Sequence, residues 1–164
     1  MTLTIRPVAP RDYAPLAEIF SHYVRETTVS LSAVEKDAAT MGAYFEARAA
    51  LGRGSFVAEE GAEILGYATY DQFRPNDGYR HTMEHTVMLT AAAAGRGAGR
   101  ALMQAVEDHA RAAGQHVLVG AITADNAASI GFHQAIGFEI VARMPQVGRK
   151  FDRWHDLVIM QKIL

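Results

Sequence analysis

The chain has 164 residues, a formal net charge of −2, 49% hydrophobic and 21% charged residues, and no cysteine. This is the composition of an ordinary globular protein with a core of its own, so one domain over 1–164 is expected. The mild acidity argues against a nucleic-acid or membrane-surface binder, and the lack of cysteine excludes disulfides, Cys-ligated metal centres and an acyl-cysteine intermediate.

No apolar run approaches the roughly 20 residues of a membrane span. The opening stretch MTLTIRPVAP has neither a charged n-region nor an apolar h-region, so a cytoplasmic protein is expected. TLTIRPV is a short β-rich run closed by Pro7. Tyr13, Leu16 or Ala17, Phe20 and Val24 then recur at helical spacing, with Asp12 or the turn before it as the cap. A second helical stretch, EKDAATMGAYFEARAALG, stops at Gly52, a suitable residue just past a helix end. SFVAEE and EILGYATYDQF read as two strands joined through Gly61 in a hairpin.

RPNDGYR, 74–80, is dense in turn formers and reads as a loop. HTMEHTVMLT reads as a strand leading into AAAAGRGAGRAL, where Gly95, Gly97 and Gly99 precede a helix that Gly114 ends. HVLVGAI is a continuous apolar run, the pattern of a strand buried on both faces. NAASIGFHQAIG is a short helix between Asn126 and Gly137. FEIVARMP and DRWHDLVIMQKIL give two last strands around a loop, QVGRKF. This order lacks regular βα alternation and predicts an α/β chain with a mixed sheet and helices on both faces.

Glycines without Cβ permit positive φ and close approach of a ligand to the backbone. A helix start behind them offers unpaired N–H groups and partial positive charge, which together suit an anion. No Gly-Lys pair exists for a Walker A loop, and the alternating glycines do not match a dinucleotide fingerprint. By spacing alone the stretch is a weak signal that also fits a flexible helix start with no ligand, but Arg96 and Arg100 add positive charge where an anion would sit and favour the anion. HTMEH, 81–85, matches the H-x-x-E-H pattern of inverted zinc peptidases. That chemistry needs a helix, whereas the setting here is a strand with Glu84 facing away from His81 and His85. No metal is expected.

MEHTVML, GRGAGRAL and NAASIGFHQAIGFE, in that order, resemble the GCN5-related N-acetyltransferase superfamily. SHYVRETTVS, YDQFRPNDGYRHTMEHTVML and MPQVGRKFDRWHDLVIMQ are similar to its phosphinothricin and methionine sulfoximine acetyltransferase branch. The resemblance implies a mostly antiparallel central sheet flanked by helices, with acetyl-CoA as co-substrate. It places the coenzyme on Val87, Met88, Leu89, Gly95, Arg96, Gly97, Ala98, Gly99, Arg100, Asn126 and Ser129. Ala94 departs from the family's Gln or Arg at the start of the loop, which removes one side-chain phosphate contact.

An α-ammonium group must lose a proton before it attacks a thioester, so a base is required. The resemblance assigns that role to Glu84, and His133 stands where many members have tyrosine, suited to giving or taking a proton. Asn126 is also a plain helix cap. Arg74, Pro75 and Asn76, with Met83, Glu84 and His85, are implied acceptor contacts, Arg74 as a fork for a carboxylate. Phe20, Tyr23, Arg80 and Trp154 are weaker candidates.

The expected activity is direct transfer of acetyl to the α-amine of a methionine sulfoximine, methionine sulfone or phosphinothricin type of acceptor, by a homodimer. Acetylation of protein or peptide N-termini and non-catalytic acyl-CoA binding are the alternatives; a binding module would be expected to lack Glu84 and His133.

Overall fold

The protein is described by a computed structural model covering residues 2–164. The chain order is β1 (Leu3–Pro7), α1 (Tyr13–Glu26), α2 (Ala38–Ala50), β2 (Ser55–Glu60), β3 (Glu63–Gln72), β4 (Thr82–Leu89), α3 (Ala98–Ala112), β5 (Val117–Thr123), α4 (Ala127–Ala135), β6 (Glu139–Lys150) and β7 (Arg153–Ile163). The strands form one sheet in the order β1-β2-β3-β4-β5-β7-β6. Every pairing is antiparallel except β4 with β5. The mixed sheet and the hairpin through Gly61 match the sequence pattern.

Period-2 alternation sends neighbouring strand residues to opposite faces. Val57, Tyr67 and Met88 pack beneath α1 and α2 with Leu16, Phe20, Met41 and Phe45. Ala58, Ala68 and Met83 face the other way, against Leu102, Met103, Val106 and Ala110 of α3. Burying a side chain such as Leu102 stabilises the fold by roughly 2 kcal/mol.

Asp12 does stand at the N-cap of α1, but its carboxylate turns back to accept from the Ala9 N–H and from Arg6. Asp37 caps α2 through the Thr40 N–H.

One local reading is corrected. QVGRKF is not a loop: Gln146–Lys150 belong to β6, and the reversal is confined to Phe151 and Asp152, both with positive φ. The alternation signal fails because β6 is an edge strand exposed along most of its length, so no buried face imposes a period on it.

The feature that positions the site is where β4 and β5 separate. They pair only over Thr82–Glu84 with Val117–Val119. Beyond that point β5 continues on β7 alone, through Leu157. The backbone of β4 from His85 to Leu89 is thereby left without a sheet partner on its β5 side.

Candidate active site

Two cavities meet along β4. One, about 800 Å³, lies between α1 and the start of α3 and is lined by Gly95, Gly97, Ala98, Gly99 and Arg100, with Leu89, Tyr23 and Phe132. The other, about 240 Å³, occupies the gap between the separating strands. It is lined by Glu84–Met88, by Gly120–Ile122 of β5, by Asn126, Ser129 and His133 of α4, and by Val29–Leu31 of the segment after α1.

Gly95 and Gly97 have φ of +74° and +75°, a region that side chains disfavour. Gly97 is the N-cap of α3, so the first-turn N–H groups behind it have no intrahelical partner. With the helix dipole they suit an anion, and the concave cavity lies beside them. Arg100 lines this cavity. Arg96 does not: its guanidinium pairs with Glu60 and Glu63, each at 2.9 Å. The expectation that Arg96 offers its side chain to a phosphate is therefore corrected; the two carboxylates of the β2–β3 turn hold it away. Tyr23 Oη donates to the Leu89 carbonyl at 2.5 Å and ties α1 to the end of β4.

Glu84 lines the gap cavity on the α1–α2 face of the sheet. Partial burial pushes its carboxyl above the usual carboxylate range, which suits a base working near neutral pH. Its cross-strand neighbour is Asp71, whose charge is offset by Arg53 and, at 3.8 Å, by Arg48.

Met83 and His85 point to the opposite face. Met83 is only 1% exposed and sits in the α3 core, so its side chain is not an acceptor contact. His85 is also buried, and its Nε2 lies 2.9 Å from His133 Nε2. His133 Nδ1–H donates to the Ser129 carbonyl at 2.7 Å. A carbonyl only accepts, so this bond fixes the tautomer: His133 Nε2 is the acceptor and His85 Nε2–H the donor. His85 Nδ1 is left without a partner. Burial pushes both imidazoles below their ordinary value, His85 to about 3 with His133 contributing. The pair is therefore neutral at physiological pH, and neither His133 nitrogen is free.

The Asn126 side chain accepts from the Ser129 N–H as a helix cap, and both residues border the gap cavity. Val87 and Met88 also line that cavity, while Leu89 lines the larger one. Arg74, Pro75 and Asn76 lie on an exposed turn and line neither cavity. Trp154, 60% exposed, lies on the β6–β7 hairpin away from both. Sequence reasoning passed over Val29–Leu31, Phe132 and Gly120. Gly120 carried a signal, since a glycine inside a buried strand marks a close approach, and a Cβ there would meet His85 at 2.9 Å.

His81 Nδ1–H donates to the Gly114 carbonyl while His85 is turned inward, and among the described residues no group of three or more His, Asp or Glu is placed to hold a metal. No helix among the described residues is long and apolar enough to cross a membrane.

Residues 16–138 match the model of the acetyltransferase (GNAT) family. The chain belongs to that family. It is 44% identical over 162 residues to an L-methionine sulfoximine/L-methionine sulfone acetyltransferase of Pseudomonas paraeruginosa, covering 98% of this chain and 94% of that one. A phosphinothricin N-acetyltransferase of Alcaligenes faecalis is 34% identical, over 98% of this chain and 82% of its own. Among solved structures, yncA of Salmonella typhimurium, described as an acetyltransferase and holding its cofactor acetyl-CoA, superposes with a TM-score of 0.96 at 41% identity, covering 100% of this chain and 95% of that one. A ribosomal-protein-alanine N-acetyltransferase of Brucella melitensis gives 0.95 at 38%, covering 98% and 99%.

Proposed function

We propose that this acetyltransferase moves the acetyl group of acetyl-CoA directly to the α-amine of a small amino-acid analogue of the methionine sulfoximine, methionine sulfone or phosphinothricin type. The observation that carries the reading is the position of Glu84. It stands where β4 leaves β5, in a cavity whose lining on β4 ends at Met88, next to Leu89 of the glycine-lined one.

The residues present fit the coenzyme. Gly95, Gly97 and the first turn of α3 would hold its pyrophosphate, Arg100 adds positive charge, and the unpaired backbone of Val87–Leu89 would receive the acyl arm. The coenzyme supplies an activated thioester. Glu84 takes the proton from the acceptor ammonium, directly or through a water. The new N–C bond would replace the thioester C–S bond, and the sulfur would leave as the coenzyme thiolate and take a proton from solvent. Unpaired N–H groups of β4 polarise the acyl carbonyl as negative charge develops there. His133, with both nitrogens engaged, forms the floor of the cavity and leaves the base role to Glu84.

The methionine sulfoximine/sulfone relative at 44% identity supports the acceptor class, and the absence of cysteine supports direct transfer. The ribosomal-protein-alanine neighbour favours a second reading, a peptide N-terminus as acceptor. The gap cavity of about 240 Å³ favours the free amino acid. Val141, Met144, Val147, Phe151 and Trp154, exposed along the β6–β7 hairpin, supply an apolar strip for a homodimer. A cytoplasmic setting fits the lack of cysteine.

The test is release of free thiol from acetyl-CoA with methionine sulfoximine, methionine sulfone, phosphinothricin and an Ala-initiated peptide as separate acceptors. Turnover with the amino-acid analogues supports the reading. Turnover with the peptide alone replaces it by the second.

A further inference from the structure

Lys150, the last residue of β6, is a buried cation with no carboxylate partner among the described residues. Its Nζ donates to the carbonyls of Ser30 at 2.6 Å, Thr27 at 2.7 Å and Tyr23 at 3.4 Å. An ammonium has three N–H donors, and here each has a carbonyl. Two of these carbonyls, on Tyr23 and Thr27, lie at the C-terminal end of α1, where the dipole favours positive charge; that of Tyr23 also accepts from the Thr27 N–H and Oγ1. The Lys150 carbonyl is itself held by His155 Nε2 at 2.9 Å, so the clamp is anchored on both sides of the hairpin turn.

Between α1 and α2, residues 27–37 form no helix or strand. Such a segment keeps one shape only where bonds from outside hold it. At its far end Ser21 Oγ bonds both the N–H and the carbonyl of Lys36, and Arg25 pairs with Glu35. Over 27–31, besides Lys150, two contacts do so. Leu31 packs so closely on Gly148 of β6 that a Cβ there would collide with it, and Thr28 Oγ1 donates to Asp125 at 3.2 Å. Val29, Ser30 and Leu31 are also the wall of the gap cavity that faces β4 and Glu84. The coenzyme cavity takes no residue from this segment; its contribution from this side is Glu18, Ile19, His22 and Tyr23 of α1.

We propose that Lys150 is a positioning residue for the acceptor: its ammonium, through the Thr27 and Ser30 carbonyls, fixes the 27–31 segment as the wall of the Glu84 cavity and so sets affinity for the acceptor amino acid without touching it. The proposal rests on the reading of that cavity as the place where the acceptor amine at Glu84 meets the acyl arm on Val87 and Met88, the rest of the coenzyme lying in the glycine-lined cavity. Removing the ammonium takes the donor from the Thr27 and Ser30 carbonyls and loosens the wall, while the Tyr23 carbonyl keeps the Thr27 N–H and Oγ1 and the glycine loop and the start of α3 keep their own supports.

The experiment compares wild type with Lys150→Met, Lys150→Arg and Gly148→Ala in steady-state kinetics and amide hydrogen exchange. In Lys150→Met the acceptor KM rises roughly tenfold or more, the size expected for a lost charged hydrogen bond. The acetyl-CoA KM stays within about twofold, and amides in 27–31 exchange faster. Lys150→Arg, which keeps charge and several donors, restores most of the acceptor affinity. Gly148→Ala displaces Leu31 and raises the acceptor KM with Lys150 intact; it also serves if Lys150→Met fails to fold. An unchanged acceptor KM, or both KM values rising together, overturns the proposal. If wild type turns over no amino-acid acceptor, the acceptor reading has failed by itself. The clamp is then read from exchange alone, and equal exchange in wild type and Lys150→Met refutes it.

Discussion

His85 Nε2 donates to His133 Nε2 across 2.9 Å, from β4 to α4, inside the fold and between the rings of Phe132 and Phe138. Both imidazoles are held neutral by burial, His85 with a pKa of about 3. Above pH 6.5 neither the folded nor the unfolded chain protonates them, and they leave stability independent of pH. Below 6.5 the unfolded chain takes up protons that the folded chain refuses. Stability then falls by up to about 1.4 kcal/mol per pH unit for each histidine until the folded values are reached. The melting temperature should therefore drop between pH 6.5 and 4.5, and His85→Phe should flatten that slope. An equal slope in both proteins would place the acid sensitivity elsewhere.

The same bond bears on catalysis. With Nδ1 committed to the Ser129 carbonyl and Nε2 to His85, His133 has no nitrogen to offer the reacting groups. His133→Gln should lower kcat by less than about tenfold, whereas loss of a true general acid or base typically costs about 10²–10⁴. A fall of that larger size at full thermal stability would restore His133 to the chemistry.

The glycine loop separates two arginines four residues apart. Arg100 lines the glycine-lined cavity, while Arg96 is spent on Glu60 and Glu63. Arg100→Ala should weaken acetyl-CoA binding by roughly tenfold, as for a lost charged contact, and Arg96→Ala should leave it near wild type. Gly97→Val forces a branched side chain into φ of +75°, at a cost of about 1–2 kcal/mol. It should raise the acetyl-CoA KM and spare the acceptor KM. Calorimetric titration with acetyl-CoA reads all three; equal losses for Arg96→Ala and Arg100→Ala would contradict the assignment.

The sheet was legible where burial imposes a period. Tyr67 and Ala68, or Val57 and Ala58, fall to opposite faces as alternation requires, and the apolar run of β5 marks a strand inside the sheet. β6 was half missed because its residues face solvent on most sides, and the first positive φ of the reversal falls on Phe151, a residue type that does not announce a turn. In the site, alternation alone puts Met83 on the core face, against the acceptor role that family resemblance implies for it, while His85, on the same face, still borders the gap cavity. Arg96 was misread for a different reason. The carboxylates that claim it are more than thirty residues away in sequence, and no local pattern records a contact of that range. The wall from Val29 to Leu31 left no sequence signal either, because its shape depends on Lys150, some 120 residues later.

The central claim is that Glu84, its carboxyl raised by burial, removes the acceptor's proton. Only the ionised carboxylate can do so, so kcat/KM should climb with pH through a limb set by a carboxyl above its ordinary 4.5. The most direct measurement is the pH profile of kcat/KM for methionine sulfoximine, from pH 5 upward, in wild type and Glu84→Gln. The account predicts a variant that still binds acetyl-CoA, is slower by about 10²–10⁴, and has lost the acidic limb. A Glu84→Gln enzyme with near wild-type rate and an unchanged profile would contradict it.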